Sequence, residues 1–232
     1  MLLIALDTAL GASSVAVLDT ATDRILASRS EPMDRGHAER LLPLVAEVLE
    51  EAGIAARDCR RFVATTGPGS FTGLRVAIAA ARGMALAAGG DSAGISTLAA
   101  LSAGASGAVL ACIDARHGHV YAELTGADGT LLLPAAYVPV AETALMASTH
   151  GAELRGPGTT AILAAWPEGA PPPAGIDARA FPDIAVVARM GAAADANLSP
   201  ARPLYLKAVD AKLPSPRAPI AQFQALRRKV SP

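Results

Sequence analysis

The chain opens on short apolar runs separated by turn residues. "LLIAL" (2–6) closes on Asp7, and "SSVAVL" (13–18) and "RILASRS" (24–30) follow, each predicting a strand. From residue 37 the period changes to that of a helix. "HAERLLPLVAEVLEEAG" (37–53) sets Leu41, Leu44, Val45, Val48 and Leu49 against Glu39, Glu47 and Glu50, with Gly53 as a C-terminal stop. Pro43 is late for a first-turn proline, so a start near Arg40, or a bend there, is expected. "RRFVATT" (60–66) predicts a strand, and the loop "GPGSFTG" then launches an apolar helix over 72–88. "AGIS" (93–96) predicts a short strand and "TLAALSAGA" (97–105) a helix.

Beyond residue 108 the pattern repeats. "VLACIDARHGHVYAELTGADGTLLL" (109–133) reads strand, Asp, turn, strand, turn, strand, as residues 2–28 do. Asp7 and Asp114 close the first strand of each triplet, and Asp23 and Asp128 sit in matching turns. Two strand triplets, each followed by helices, predict a duplicated α/β unit with a boundary near 104–108. The two lobes are then residues 1–106 and 107–232. The second copy is eroded. "VAETALMAST" (140–149) predicts a helix, 162–176 a proline-rich loop, and 182–196 a helix. Residues 202–214 read as extended and then loop, and 219–230 as a short terminal helix.

Composition narrows the function classes. Net charge is -1 over 232 residues, which argues against a dominant nucleic-acid-binding field. The basic run Arg227, Arg228 and Lys229 reads as a solvated tail. Cys59 and Cys112 lack CxxC spacing, which disfavours a disulfide scaffold and fits a reducing cytosol. The N-terminal apolar run has no basic flank and is interrupted by Asp7, unlike a signal peptide. The uncharged stretch between Asp91 and Asp114 is long enough to span a bilayer. Its serines and glycines make it buried core of a soluble protein instead, so no membrane association is expected.

The glycine loop raises the question of phosphate chemistry. Backbone N–H groups at a helix start bind phosphate. A Walker loop also needs the G-K-[ST] ending, and "GPGSFTG" has neither that nor GxGxxG. Ser70 or Thr72 can cap the helix instead, with Gly67, Gly69 and Gly73 serving a tight turn and close packing. The duplicated strand–Asp–turn–strand resembles actin-like ATPases and sugar kinases, where the first turn holds phosphates. Asp7, Thr8, Gly67 and Asp114 are therefore the positions of a degenerate nucleotide site. The opposing reading is that Asp7 and Asp114 only orient turns. No metal-ligand spacing occurs among His37, His117, His119 and His150, and no catalytic triad or nucleophile elbow is legible.

The remaining signal is surface. On the 72–88 helix, Val76, Ala77, Ala80, Met84 and Ala87 form one apolar face. Arg75, Ile78, Ala79, Arg82 and Leu86 form another. The 37–53 helix has Leu41, Leu44 and Val48 on one edge and Leu42 and Leu49 on the other. This surplus apolar surface fits either a helix-bundle interface with a second subunit or a thick internal core.

Specific stretches bring a family into view: "LLIALDTALGASSVAVL", "HAERLLPLVAEVL", "GPGSFTGLRVAIAAARGMALA", "GISTLAAL", "CIDARHGHVYAEL" and "PLYLK". In these the chain resembles the TsaB (YeaZ) family of the bacterial tRNA threonylcarbamoyladenosine pathway, strongly over roughly residues 1–124. The resemblance implies a duplicated actin-like ATPase (ASKHA, RNase H-like) fold with a reduced second lobe. It implies a non-catalytic cytoplasmic subunit that activates the transferase TsaD. The pair would form through helices 37–53 and 72–88, with Leu41, Leu44, Val48, Arg75, Ile78, Ala79, Arg82 and Leu86 at the interface. A homodimer forms when TsaD is absent, a small ATPase, TsaE, joins the pair, and tRNA is met only indirectly. No cofactor is expected on this chain alone; ATP or ADP and metal belong to the partner subunits. The older label glycoprotease finds no support in these residues. An ATP-dependent transferase or kinase of the same superfamily is the alternative. The Pro171–Pro173 loop and the 215–232 tail fit no family motif.

Overall fold

The computed structural model describes residues 1–207. β1 (Leu2–Asp7), β2 (Ala12–Asp19) and β3 (Arg24–Pro32) form an antiparallel meander. Helix α1 (His37–Ala52) crosses to β4 (Cys59–Gly67), parallel to β1. Helix α2 (Phe71–Ala88) crosses to β5 (Asp91–Ser96), parallel to β4. After α3 (Thr97–Ser102) the series recurs. β6 (Val109–Arg116), β7 (His119–Thr125) and β8 (Leu131–Pro139) form a second meander. Helix α4 (Val140–Thr149) leads to β9 (Glu153–Arg155), parallel to β6. Helix α5 (Thr159–Ala164) leads to β10 (Ile176–Asp177), parallel to β9. The sheet orders, β3-β2-β1-β4-β5 and β8-β7-β6-β9-β10, are the same topology. This is the duplicated actin-like fold. Its second copy is reduced: α5 has 6 residues where α2 has 18.

The duplication reaches a repeated Gly-Pro-Gly that the strand pattern does not reveal. Gly67 ends β4 at φ 111°, and Gly156 follows β9 at φ 104°. A Cβ at Gly69 would stand 2.4 Å from the Ala9 carbonyl oxygen, and one at Gly158 2.9 Å from the Cys112 carbonyl carbon. The first loop therefore lies on the turn after β1 and the second on the middle of β6, close approaches that glycine permits.

β1 is covered on both faces, which explains its uninterrupted apolar sequence. On one face Ile4, Leu6, Val15 and Val17 meet Leu41, Leu44, Val45 and Val48 of α1 and Leu74, Ala77, Ile78, Ala81 and Ala85 of α2. On the other, Leu3, Ala5, Ala16, Leu18 and Val63 meet Ile184, Val187 and Ala188. Those three belong to α6 (Ile184–Ala193). The division into 1–106 and 107–232 is thus corrected. The sheets do separate between α3 and β6, but α6 returns to the first lobe. Arg61 fastens it there, donating to the carbonyls of Gly191, Ala192 and Ala194 at 3.1, 3.3 and 2.8 Å while pairing with Asp91.

Local chemistry accounts for the element ends. Gly53, at φ 67°, ends α1 by donating its N–H to Glu50 and Leu49 carbonyls. The helix runs through Pro43, which lies on its exposed side and supplies no N–H to the Glu39 carbonyl. Arg40 binds Glu31 of β3 and Glu47 of α1, and Arg29 reaches Glu47 and Glu51, so ion pairs hold α1 to the edge strand. The Arg40 guanidinium holds both its carboxylate partners below their ordinary range. β9 and β10, at 3 and 2 residues, are too short to leave a periodic signal. The 162–176 region holds the end of α5 before its loop. The expected terminal helix at 219–230, the basic run 227–229 and the 215–232 tail lie outside the described residues.

Residues 91–114 divide among β5, α3 and β6 rather than forming one helix. By length and composition α2 alone, among the described residues, could cross a membrane, but it packs on β4, β5 and β1.

Two glycines of α2 separate close packing from chain entropy. A Cβ at Gly73 would stand 1.9 Å from the Thr8 carbonyl oxygen, whereas one at exposed Gly83 meets nothing within 4 Å. Gly73→Ala should destabilise the chain by about 2–4 kcal/mol. Gly83→Ala should stabilise it by about 0.5–1 kcal/mol, both read from urea unfolding midpoints.

Candidate functional site

Three turns meet between the lobes: the one after β1, the glycine loop after β4, and the one after β6. Ala9, Leu10, Gly69, Ser70, Ile113, Asp114, Ala115, Arg116 and Tyr121 line a cleft of about 340 Å³. The four nucleotide-site positions are distributed unevenly around it. Only Asp114 lines it, and its carboxylate accepts the Arg116 N–H at 2.8 Å, shaping a turn in which Arg116 and His117 are left-handed. Asp7 and Thr8 are buried beneath. The Thr8 hydroxyl donates to the Gly73 carbonyl at 2.6 Å. Gly67 faces Leu74 and the Leu204 carbonyl.

The glycine loop is bonded to its own chain. Ser70 N–H donates to Ala9 O at 2.7 Å, and the Ser70 hydroxyl accepts Gly73 N–H as the N-cap of α2. Thr8 and Ala9 thus pack against one side of the loop, while Gly69 and Ser70 line the cleft on the other.

Asp7 is fully buried. One carboxylate oxygen accepts Ala9 N–H at 3.0 Å and the Thr65 hydroxyl at 2.5 Å. The other has no hydrogen-bond partner among the described residues, nor has the hydroxyl of Ser14, its register partner on β2. Burial outweighs the two hydrogen bonds and raises the Asp7 pKa above its ordinary 3.8. The cysteines are buried too, and desolvation pushes the thiols up to about 11 for Cys59 and about 12 for Cys112, away from nucleophilic chemistry.

The histidines are dispersed. His37 contacts the Leu10 carbonyl at 3.1 Å, and His119 stacks on Tyr137 with ring centroids 4.5 Å apart. Among the described residues no group of three or more His, Cys, Asp or Glu is placed to hold a metal.

The helix faces require a second correction. Leu41, Leu44, Val48 and Ile78, expected at a subunit interface, are core residues of this chain. The physical reason is a stripe of small residues, Gly73, Ala77, Ala81 and Ala85, four apart along α2. That stripe seats the helix closely on the sheet and carries Ile78 inward with it. Arg75, Ala79, Arg82 and Leu86 face outward, with Phe71, Gly83 and Ala87 beside them. On α1 the outward residues include Ala38, Leu42, Pro43 and Ala46. Phe71 and Tyr205, absent from the sequence-derived surface, cap its N-terminal end. The four-residue spacing of the small stripe is the signal in the sequence that places the faces correctly.

The raised Asp7 pKa has a stability consequence. The folded chain holds this proton more tightly than the unfolded chain, so the contribution is full below the unfolded value. It is lost as pH rises through the folded-state value. Asp7→Asn keeps the acceptor for Ala9 and Thr65 and cannot ionise. It should raise the melting temperature at pH 8, with the gain disappearing near pH 4, in calorimetric scans across pH.

Comparison with known proteins places this architecture. A family model described as "TsaD: tRNA N6-adenosine threonylcarbamoyltransferase" matches residues 25–162. The tRNA threonylcarbamoyladenosine biosynthesis protein TsaB of Escherichia coli K12 is 41% identical over 126 residues, 52% of this chain and 53% of that protein. The Bacillus subtilis 168 protein of the same name is 29% identical over 127 residues, 53% of this chain and 55% of that one. The chain spans about half the length of the curated relatives it matches. Among solved structures, YeaZ from Pseudomonas aeruginosa superposes with a TM-score of 0.73 at 31% identity, covering 88% of this chain and 99% of that one. With a family model over more than half of its residues and a solved relative matched almost end to end, the chain belongs to the TsaB/YeaZ family.

Proposed function

We propose that the chain is a non-catalytic cytoplasmic subunit in tRNA threonylcarbamoyladenosine biosynthesis, binding and activating a TsaD-type transferase. The observation that carries this is the outward surface of α1 and α2. It is apolar and small along Leu42, Ala46, Ala79, Gly83 and Leu86, with Leu86 86% exposed. A contiguous surface of this kind suits a facing helix pair. The names of the curated relatives support the pathway. The burial of Asp7 and the packing of the glycine loop on Thr8 and Ala9 support a role other than phosphate chemistry. In this reading ATP or ADP and metal sit in the partner subunits, TsaE joins the pair, and the chain pairs with itself through the same helices when TsaD is absent. It meets tRNA only through its partner.

A second reading, an ATP-dependent transferase or kinase, draws on the interlobe cleft, where Ser70, Arg116 and Tyr121 meet. It is separable from the first by calorimetry with ATP and Mg²⁺ on the isolated chain. We expect no binding heat at micromolar nucleotide. Heat abolished by Arg116→Ala would establish the second reading instead.

Surface and core substitutions should part company. Leu86→Glu and Ala79→Arg should weaken association with purified TsaD at least about tenfold while leaving the circular dichroism melt unchanged. Leu44→Asp and Ile78→Asp should unfold the chain itself. Gel filtration showing intact pairing by both surface variants would overturn the α1–α2 assignment.

A further inference from the structure

Helix α2 begins with an arginine held in place before any partner arrives. The Arg75 guanidinium carbon lies 3.7 Å from the centroid of the Phe71 ring. Its Nε donates to the Tyr205 hydroxyl at 3.0 Å. The two rings stand 5.7 Å apart, inclined by 31°. Tyr205 comes from far along the chain, on a segment strapped across the glycine loop. Pro200 bridges to Ala93 of β5, and Leu204 N–H donates to the Thr66 carbonyl at 2.8 Å. Lys207 then reaches the second lobe, 5.6 Å from the Tyr137 ring.

This arrangement spends only part of the guanidinium. Nε is committed, and the two Nη groups face no carboxylate: among the described residues no ion pair includes Arg75 or Arg82. α2 itself contains no Asp or Glu. A planar fork with its rotamer already restrained recognises a carboxylate in bidentate fashion at reduced entropic cost. Its surroundings select the source of that carboxylate. Phe71 is 53% exposed, and the face continues through Ala79 and Gly83 to Leu86. Small and apolar side chains with two cations suit a protein helix. A polynucleotide backbone would call for a longer stripe of positive charge.

We propose that Phe71, Arg75 and Tyr205 form the anchor of the partner surface, where a partner subunit's helix sets an aspartate or glutamate against the Arg75 guanidinium. The C-terminal strap is then part of the docking surface, because it supplies the hydroxyl that orients the arginine. This rests on the assignment of the α1–α2 face to partner binding. An aromatic–arginine cluster ringed by small apolar residues has the composition of an interface hot spot.

The test is calorimetric titration of the full chain with the purified TsaD-type subunit of the same organism. Arg75→Lys keeps the charge but loses the fork, and should weaken binding about tenfold. Arg75→Gln should weaken it about thirtyfold and flatten its salt dependence. Tyr205→Phe keeps the ring and should cost about threefold. Both side chains are exposed, so thermal melts of the three variants should match the unmodified chain. Ala79→Arg serves as the separate probe of the docking face. If Ala79→Arg abolishes association while Arg75→Gln and Tyr205→Phe bind normally, the anchor is wrong and the docking face stands. If all of them bind normally, both fall. Titration with tRNA alone gives the remaining arm. Affinity for tRNA that drops in Arg75→Gln, with protein association unchanged, would assign the arginine to phosphate and overturn the carboxylate.

Discussion

The contact between the turn after β1 and the start of α2 sets much of this structure. Thr8 donates its hydroxyl to the Gly73 carbonyl, and Ala9 accepts the Ser70 N–H. Neither bond can form unless positions 69 and 73 lack side chains, because a Cβ at either would collide with the backbone of Thr8 or Ala9. That approach fixes the helix axis against the sheet. It determines which face of α2 is buried and brings Arg75 and Phe71 to the surface.

The duplication repeats part of this arrangement. Each lobe has the same meander, the same parallel crossovers and a Gly-Pro-Gly loop packed closely on backbone from its first strand or the turn that follows it. The lobes diverge after that loop. The first continues into an 18-residue helix with an exposed face, the second into a 6-residue helix. Among the described residues the outward face of the long helix is exposed at Arg75, Ala79, Arg82, Gly83 and Leu86. Helix α6 and the strap to Lys207 then tie the second half of the chain back across the first, through Arg61, Leu204 and Tyr205.

Much of this is legible in the residues themselves. Strand and helix order follows from apolar periodicity, and the duplication from the two strand–Asp–turn triplets. The Gly53 stop and the Ser70 cap follow from local backbone chemistry. Asp114 is readable as a turn residue, and it accepts a hydrogen bond within its own turn. What fails is orientation. Leu44 and Ile78 are apolar whether they face a sheet or a partner, so hydropathy alone cannot separate the two. The sequence-derived wheel puts Ile78 outside because it weighs side-chain size and charge rather than the spacing of the smallest residues.

Local sequence dictates the elements, their order, the repeat and the family, because these depend on local conformational preference and short-range patterning. Long-range packing decides the rest: α6 packed on the first lobe, Asp7 sealed away from the cleft, and Tyr205 brought to Arg75 across 130 positions. Such contacts join segments whose separation along the chain carries no periodic signal. They exist because a buried polar group must find a partner and a long side chain must find a surface, and only the folded chain specifies which ones lie within reach.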